Sequence, residues 1–338
     1  MRIIVDAFGG DNAPLEVIKG AAEAVAAYGH TVVLAGNEAI IRQTAKENEL
    51  SLDGMEILDC EDVISMHDAP RSILREHKNC SMAVGLKALA AGDGDAFVSA
   101  GSTGALLVGG TFLVKRIKGV SRAALAAIMP TNKGPVMLVD AGANVECRPE
   151  MLHRFGQMGS IYMTDVMGGG TPARVGLLNI GTEDEKGSDL QHATFELLKN
   201  DNLNFVGNIE ARQVPFGEAD VVVADGFSGN VLLKTMEGTA DLIVQKLKAM
   251  FKTNLFTKLA YLLIKPQMGA FKKLLSTDEY GGAPLLGLKK PVIKTHGNAK
   301  ANAVKNAIRV AAEFAAADVI GKIEAVVATE AEDEGEAE

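Results

Sequence analysis

Ala96-Phe97-Val98-Ser99-Ala100-Gly101-Ser102-Thr103-Gly104-Ala105 is an apolar run that ends in a turn of glycine and small polar residues and then opens an apolar, helix-compatible stretch. Such a run, without polar alternation, suits a strand covered on both faces. The same succession recurs along the chain. Apolar segments at 3–6, 31–35, 56–58, 136–139, 175–180 and 221–224 each lead into a Gly or Asp turn and then an Ala/Leu-rich stretch. Strands alternating with helices imply βαβ units, so the expected fold is α/β, a mostly parallel sheet sandwiched by helices. Ligands of such sheets collect beyond the carboxyl ends of the strands, which directs attention to the turns.

Five of those turns carry small polar residues beside glycine: Asp6-Ala7-Phe8-Gly9-Gly10-Asp11-Asn12, Ser99-Ala100-Gly101-Ser102-Thr103-Gly104, Asp140-Ala141-Gly142-Ala143-Asn144, the stretch from Asn179 to Ser188, and Asp225-Gly226-Phe227-Ser228-Gly229-Asn230. Glycine lets backbone amides approach a ligand, and a turn that opens a helix favours an anion. Taken singly, each turn is equally well read as a helix cap. Together they describe a pocket for a phosphate-sized oxyanion. Lys186 follows Glu183-Asp184-Glu185 and precedes Gly187-Ser188. A cation there steers phosphate or offsets charge on a thioester oxygen; the alternative is a solvated charge run.

A chain of 338 residues with 47% hydrophobic and 23% charged residues has the balance of a globular protein, and excludes disordered and fibrous classes. One large α/β domain over 1–328 is expected, or two lobes sharing a sheet. Six acids among the last nine residues account for six of the nine net negative charges, so the body carries only −3, and residues 329–338 read as an acidic disordered tail. That charge, with 5% aromatics and no Trp, excludes a general nucleic-acid surface. Cys60, Cys80 and Cys147 form no CxxC motif, which suits a reducing cytoplasm. The chain opens directly on Arg2-Ile3-Ile4-Val5, so no secretion leader is expected. The uncharged stretch 96–114 has the length of a membrane span, but its glycines and hydroxyl residues read as strand, turn and buried helix.

No dinucleotide fingerprint, phosphate-loop lysine motif, HExxH or GxSxG is present. The six histidines are scattered, and His296 in Thr295-His296-Gly297-Asn298 is the best candidate among them. Cys147 reads as a small core residue. Between 242 and 275 there is no Asp or Glu, while Lys246, Lys248, Lys252, Lys258, Lys265, Lys272 and Lys273 supply seven cations. Leu259, Leu262, Leu263 and other apolar residues recur there at helical spacing, so the segment reads as an amphipathic helix interrupted at Pro266. It suits a bilayer interface, an acidic partner, or a dimer or core contact with a solvated lysine edge.

These blocks, in this order, resemble the PlsX-type acyl-ACP:phosphate acyltransferases of bacterial phospholipid synthesis. The likeness runs through Asp6-Ala7-Phe8-Gly9-Gly10-Asp11, Ala100-Gly101-Ser102-Thr103-Gly104-Ala105, Val139-Asp140-Ala141-Gly142-Ala143-Asn144, Leu178-Asn179-Ile180-Gly181 with Glu185-Lys186-Gly187, Gly207-Asn208-Ile209-Glu210 and Asp225-Gly226-Phe227-Ser228-Gly229-Asn230. It is looser at 280–287 and at His296-Gly297-Asn298-Ala299-Lys300, where members often carry serines after His-Gly. The resemblance implies transfer of a fatty acyl group from an acyl carrier protein thioester to inorganic phosphate, with no cofactor or metal. It also implies a fold like the phosphotransacetylase and isopropylmalate dehydrogenase group, and a cytoplasmic homodimer peripherally associated with an anionic membrane surface.

For this reaction Ser102, Thr103 and Gly104 are expected to cradle phosphate, with Gly9, Gly10 and Asp11 beside them, Asn144 and Asn230 as further donors and Lys186 as the principal cation. Asp6 and Asp11 orient donors or serve as a base. His296 protonates the departing thiolate or caps a helix. Lys246, Lys248, Lys252, Lys258, Leu259, Leu262, Leu263 and Lys265 are expected to contact membrane or carrier protein. Two other functions compete. A metal-assisted hydroxyacid dehydrogenase of the same fold group needs a carboxylate cluster and an adenine site, neither of which is evident. A non-catalytic membrane scaffold leaves the five polar turns idle.

Overall fold

The run at 96–99 is a strand with every residue buried, and it lies inside an eleven-stranded sheet. A computed structural model describes residues 1–168, 170–274 and 277–336. In chain order the first half comprises β1 (Arg2–Asp6), α1 (Leu15–Tyr28), β2 (Thr31–Gly36), α2 (Glu38–Glu47), β3 (Met55–Asp59), α3 (Ser81–Ala91), β4 (Ala96–Ser99), α4 (Thr103–Gly109), β5 (Ala124–Thr131) and β6 (Gly134–Val139). The second half comprises α5 (Pro149–Tyr162), β7 (Val175–Asn179), α6 (Asp189–Lys199), β8 (Phe205–Glu210), β9 (Val221–Val223), α7 (Gly226–Phe251), α8 (Leu255–Leu274), β10 (Ala283–Leu286), β11 (Val292–Lys294), α9 (Ala301–Ala316) and α10 (Val319–Glu336).

The strand order is β3-β2-β1-β4-β11-β10-β5-β6-β9-β7-β8. β3, β2, β1, β4 and β11 are mutually parallel, as are β6, β9, β7 and β8. Between the two sets stand three antiparallel pairings, β11–β10, β10–β5 and β5–β6, so the halves run in opposite senses along the ladder. The mostly parallel α/β sheet is therefore as expected, with an antiparallel seam that the apolar runs did not announce. Successive strand residues point to opposite faces. Ile3 and Val5 enter a core with α1, α5 and α9, whereas Ile4 enters a second core with α3, α4 and the start of α7.

One segment differs from expectation. Helix α8 runs through Pro266, and the interruption falls instead at 252–254. There the Asn254 side chain accepts from the Thr257 amide and the Thr257 hydroxyl accepts from the Asn254 amide, at 3.0 and 3.1 Å, a reciprocal cap that starts α8. Leu275 lies outside the described residues. Helix α10 runs as far as Glu336, in keeping with the high helix propensity of Ala and Glu; residues 337–338 lie outside the described residues.

Among the described side chains of α8, Thr257, Tyr261, Ile264 and Met268 are the half-buried ones, and the Tyr261 ring lies 5.5 Å from that of Phe251 in α7, tilted by 50°. The helix thus turns one stripe toward α7. Leu255, Phe256, Leu259, Leu262 and Leu263 face away, Phe256 and Leu263 being more than 80% exposed at 84% and 81%. Lys246, Lys248, Lys252, Lys258 and Lys265 are exposed as well. Among the described residues no helix is long and apolar enough to cross a membrane.

Candidate active site

A cleft of about 410 Å³ lies between the halves of the sheet, floored by Leu125, Ala127 and Ile128 of β5. Three turns and one helix wall it. Thr103 comes from the turn after β4, Ala141 and Gly142 from the turn after β6, Lys294 to Gly297 from the end of β11, and Asn230, Leu233, Lys234 and Glu237 from the first turns of α7. Met66 reaches in from the loop after β3.

Lys294 is the central cation of this cleft, only 8% exposed. Its ammonium donates to the carbonyls of Ala100, at 3.4 Å, and of Thr295, which leaves one of its three donors for a ligand. Burial pushes it down to about 8, against the opposing pull of the Asp6 and Asp11 charges. A lysine at the end of an apolar strand thus becomes a desolvated cation that titrates near neutrality. Lys234 stands on the opposite wall, paired to Glu237 at 2.7 Å.

The turns that shape the cleft are closed by two buried carboxylates. Asp6 accepts from the hydroxyls of Ser81 and Ser99, at 2.6 and 2.7 Å, and from the Phe8 amide. Asp140 accepts from the backbone amides of Leu125, Gly142, Ala143 and Asn144 and from the Asn144 side chain, at 2.6 to 3.2 Å. Burial raises both carboxyls above their ordinary range while these hydrogen bonds oppose it. Asp225 caps α7 by accepting from the Ser228 amide at 2.9 Å, which sets Asn230 at the cleft.

This geometry redistributes the expected site residues. Thr103, Asn230 and His296 line the cleft. Asp6 lies beneath it with its carboxylate engaged by Ser81 and Ser99, so it orients the turn and is not placed as a base. Gly9 and Gly10 pack under the turn rather than against a ligand. A Cβ on Gly9 falls 2.5 Å from the Asp6 carboxylate, and one on Gly10, whose φ is +100°, falls 2.8 Å from the Gly297 carbonyl. Asp11 stands at the rim, its amide donating to that carbonyl at 2.7 Å. Ser102 accepts from the Ala105 amide, and Gly104 packs on Pro70. Asn144 spends its amide hydrogens on Ala123 and Asp140 and so is scaffold.

Lys186 is exposed on the loop after β7 and lines none of this cleft. Its carbonyl accepts from Asn179, which helps hold the loop closed. Cys147 is no nucleophile in this state, because burial pushes its thiol up to about 11. Lys294, Lys234, Glu237 and Met66 were not singled out in the sequence. For Lys294 a signal was present, since a lysine directly ends the apolar run Pro291-Val292-Ile293 and precedes Thr295-His296.

The chain matches the model of the family described as fatty acid synthesis protein over residues 1–322. It is 45% identical over 336 residues, 99% of this chain and 100% of the relative, to a protein of Alkaliphilus oremlandii named phosphate acyltransferase. A relative of the same name from Geobacillus thermodenitrificans is 47% identical over 96% of this chain and 98% of its own. The chain therefore belongs to this family of fatty acid synthesis proteins, and with it to the acyltransferases. In fold it is similar to the EutD phosphotransacetylase of Staphylococcus aureus, with a TM-score of 0.62 at 18% identity over 93% of this chain and 94% of that one. A phosphotransacetylase of Streptococcus pyogenes also gives 0.62, at 17% identity over 94% of each chain.

Removing the Asp140 carboxylate strands several buried donors at once. Asp140→Ala is expected to destabilise the fold by about 3 kcal/mol or more, well beyond the loss of one ordinary hydrogen bond. Urea denaturation checks this, and a loss below about 1 kcal/mol assigns the closure of the 140–144 turn to something else.

Proposed function

We propose that the protein transfers a fatty acyl group from an acyl carrier protein thioester to inorganic phosphate, releasing the carrier thiol and forming an acyl phosphate for phospholipid synthesis. The observation that carries this reading is the desolvated Lys294 ammonium, with His296 two residues on, sharing with Thr103 and Asn230 a cleft of about 410 Å³. The relatives' name supplies the acyl group and the phosphate. Phosphate is already an anionic nucleophile, so the protein's tasks are to align it with the thioester carbonyl and to stabilise the oxyanion that forms there. Lys294 provides the positive charge for phosphate or for that oxyanion, with Thr103 and Asn230 as neutral donors. A phosphate oxygen bonds to the carbonyl carbon, the carbon–sulfur bond breaks, and His296 gives the departing thiolate its proton.

Purified protein is expected to release thiol from acyl carrier protein only when phosphate is supplied, with hydroxylamine trapping one acyl phosphate per thiol. Equal thiol release in phosphate-free buffer makes the protein a thioesterase instead. Lys294→Met is expected to lower kcat/KM by about 10²–10³, the usual cost of losing a preorganised charge. Because Lys294 is charged below about 8 and neutral above, kcat/KM for phosphate is expected to fall as pH rises through that value. In Lys294→Arg the fall should vanish, since a guanidinium keeps its charge. Persistence of the fall in that variant assigns it to another group.

The α7–α8 hairpin is the proposed contact with an anionic membrane at the cytoplasmic face, with carrier protein as the acyl donor and a homodimer as the working form. Its outward Leu255, Phe256, Leu259, Leu262 and Leu263 form a contiguous apolar face beside exposed lysines, which supports the reading. Lysines near an anionic leaflet contribute about 1 kcal/mol each. Replacing Leu259, Leu262 and Leu263 by Ser is expected to abolish binding to anionic vesicles at low salt. Lys258→Glu with Lys265→Glu should make binding collapse as salt rises. If the parent never binds vesicles and the serine variant turns monomeric, the face is a contact between subunits.

A further inference from the structure

The α7 wall of the cleft has a second side. Leu233 and Glu237 also bound a neighbouring cavity of about 470 Å³, enclosed by the end of β5, the 3₁₀ turn Ala211–Phe216 and α7. Leu232, Met236, Ala240 and Ile243 recur along α7 at spacings of four, four and three, so they present one apolar stripe to this cavity, opposite Met129 and Pro130. Its two charged lining residues both stand at boundaries. Arg212 is turned out to solvent on Glu210 at 2.8 Å, and Glu237 pairs with Lys234 on the cleft side. Between them the walls carry no charge.

A peptide segment lying here brings an amide and a carbonyl per residue, and the apolar stripe offers them no partner; the neutral polar lining is Thr131, Asn132, Thr235 and Thr239, of which Thr131 and Thr235 already donate to the Gly134 and Val231 carbonyls. An anion finds no cation in the interior. A chain of methylenes needs neither and gains by leaving water. Glu237 Oε1, at the junction with the cleft, is buried with no hydrogen-bond partner among the described residues; it needs a donor that a methylene chain does not carry, and so marks where the apolar chamber ends.

We propose that this second cavity holds the fatty acyl chain while its thioester lies in the Lys294 cleft, the two chambers meeting at Leu233 and Glu237. The proposal rests on the acyl-transfer reading. It makes α7 the element that selects chain length, with Ala240 midway along the stripe as the residue whose size sets how far the chain extends.

The test is turnover with phosphate of hexanoyl- and hexadecanoyl-carrier protein by the full-length parent, Ala240→Leu and Ala240→Trp. Filling the groove is expected to cost the hexadecanoyl substrate at least about tenfold in kcat/KM, while the hexanoyl substrate changes by less than about threefold, since pockets discriminate by methylenes in this range. Equal losses on both substrates, or none on either in folded variants, overturn the proposal. Failure of the parent on both substrates instead sinks the acyl-transfer reading. Should neither variant fold, Thr239→Trp at the exposed rim of the cavity serves as a reporter, because the chain has no native tryptophan. Its fluorescence is expected to be quenched by brominated octadecanoyl-carrier protein and not by the hexanoyl form, and absence of quenching overturns the proposal.

Discussion

A carboxylate buried at the end of the first strand holds the site together. Among the described residues Asp6 has no cation in hydrogen-bond contact, and it accepts instead from Ser81 at the start of α3 and Ser99 at the end of β4, 75 and 93 residues away in the chain. One short side chain thereby fixes the relation of a strand end, a helix start and the turn that follows β1. Desolvation opposes its ionisation, and its charge in turn favours the ammonium form of Lys294. The two groups are interdependent without being a salt bridge. After burial, the Asp6 charge is the largest charge favouring the Lys294 ammonium, which links the packing of the turns to the chemistry of the cleft.

Asp140 performs the equivalent closure on the other half of the sheet, but with backbone amides as partners, and the seam of β10, β5 and β6 brings the two closed turns to one cleft. The seam has a cost in regularity, since parallel strands on either side must reverse sense through three antiparallel pairings. In return, β5 presents Leu125 and Ala127 as a smooth floor with no side chain large enough to fill the space. The phosphotransacetylases of Staphylococcus aureus and Streptococcus pyogenes share this fold at 18% and 17% identity. The architecture is evidently compatible with very different residues on its walls.

The parallel halves were legible because β1, β4, β6 and β9 are apolar on both faces, a pattern that only burial on two sides explains. β5 was not, since Ala124-Leu125-Ala126-Ala127 reads as well for a helix as for a strand. β10 and β11, at four and three residues, are too short to show any period. Pro266 reads as a break, although the stop is written in Asn254 and Thr257, whose spacing of three is that of a reciprocal cap. The site was half legible for a related reason. Sequence shows which residues can donate or accept, but not which of those atoms the fold has already consumed. Asp6, Gly9 and Asn144 are spent on structure, whereas Lys294, hidden in what reads as the end of a core strand, keeps a donor free.

Helix α7 begins at the cleft with Asn230 on its second turn and ends at the base of the exposed hairpin, and its 26 residues at the usual rise span about 39 Å. Leu233 and Glu237 sit within its first half. One continuous rod therefore carries both the cleft wall that holds Asn230 and Lys234 and the base of the exposed hairpin, so a single helix axis sets the attitude of both.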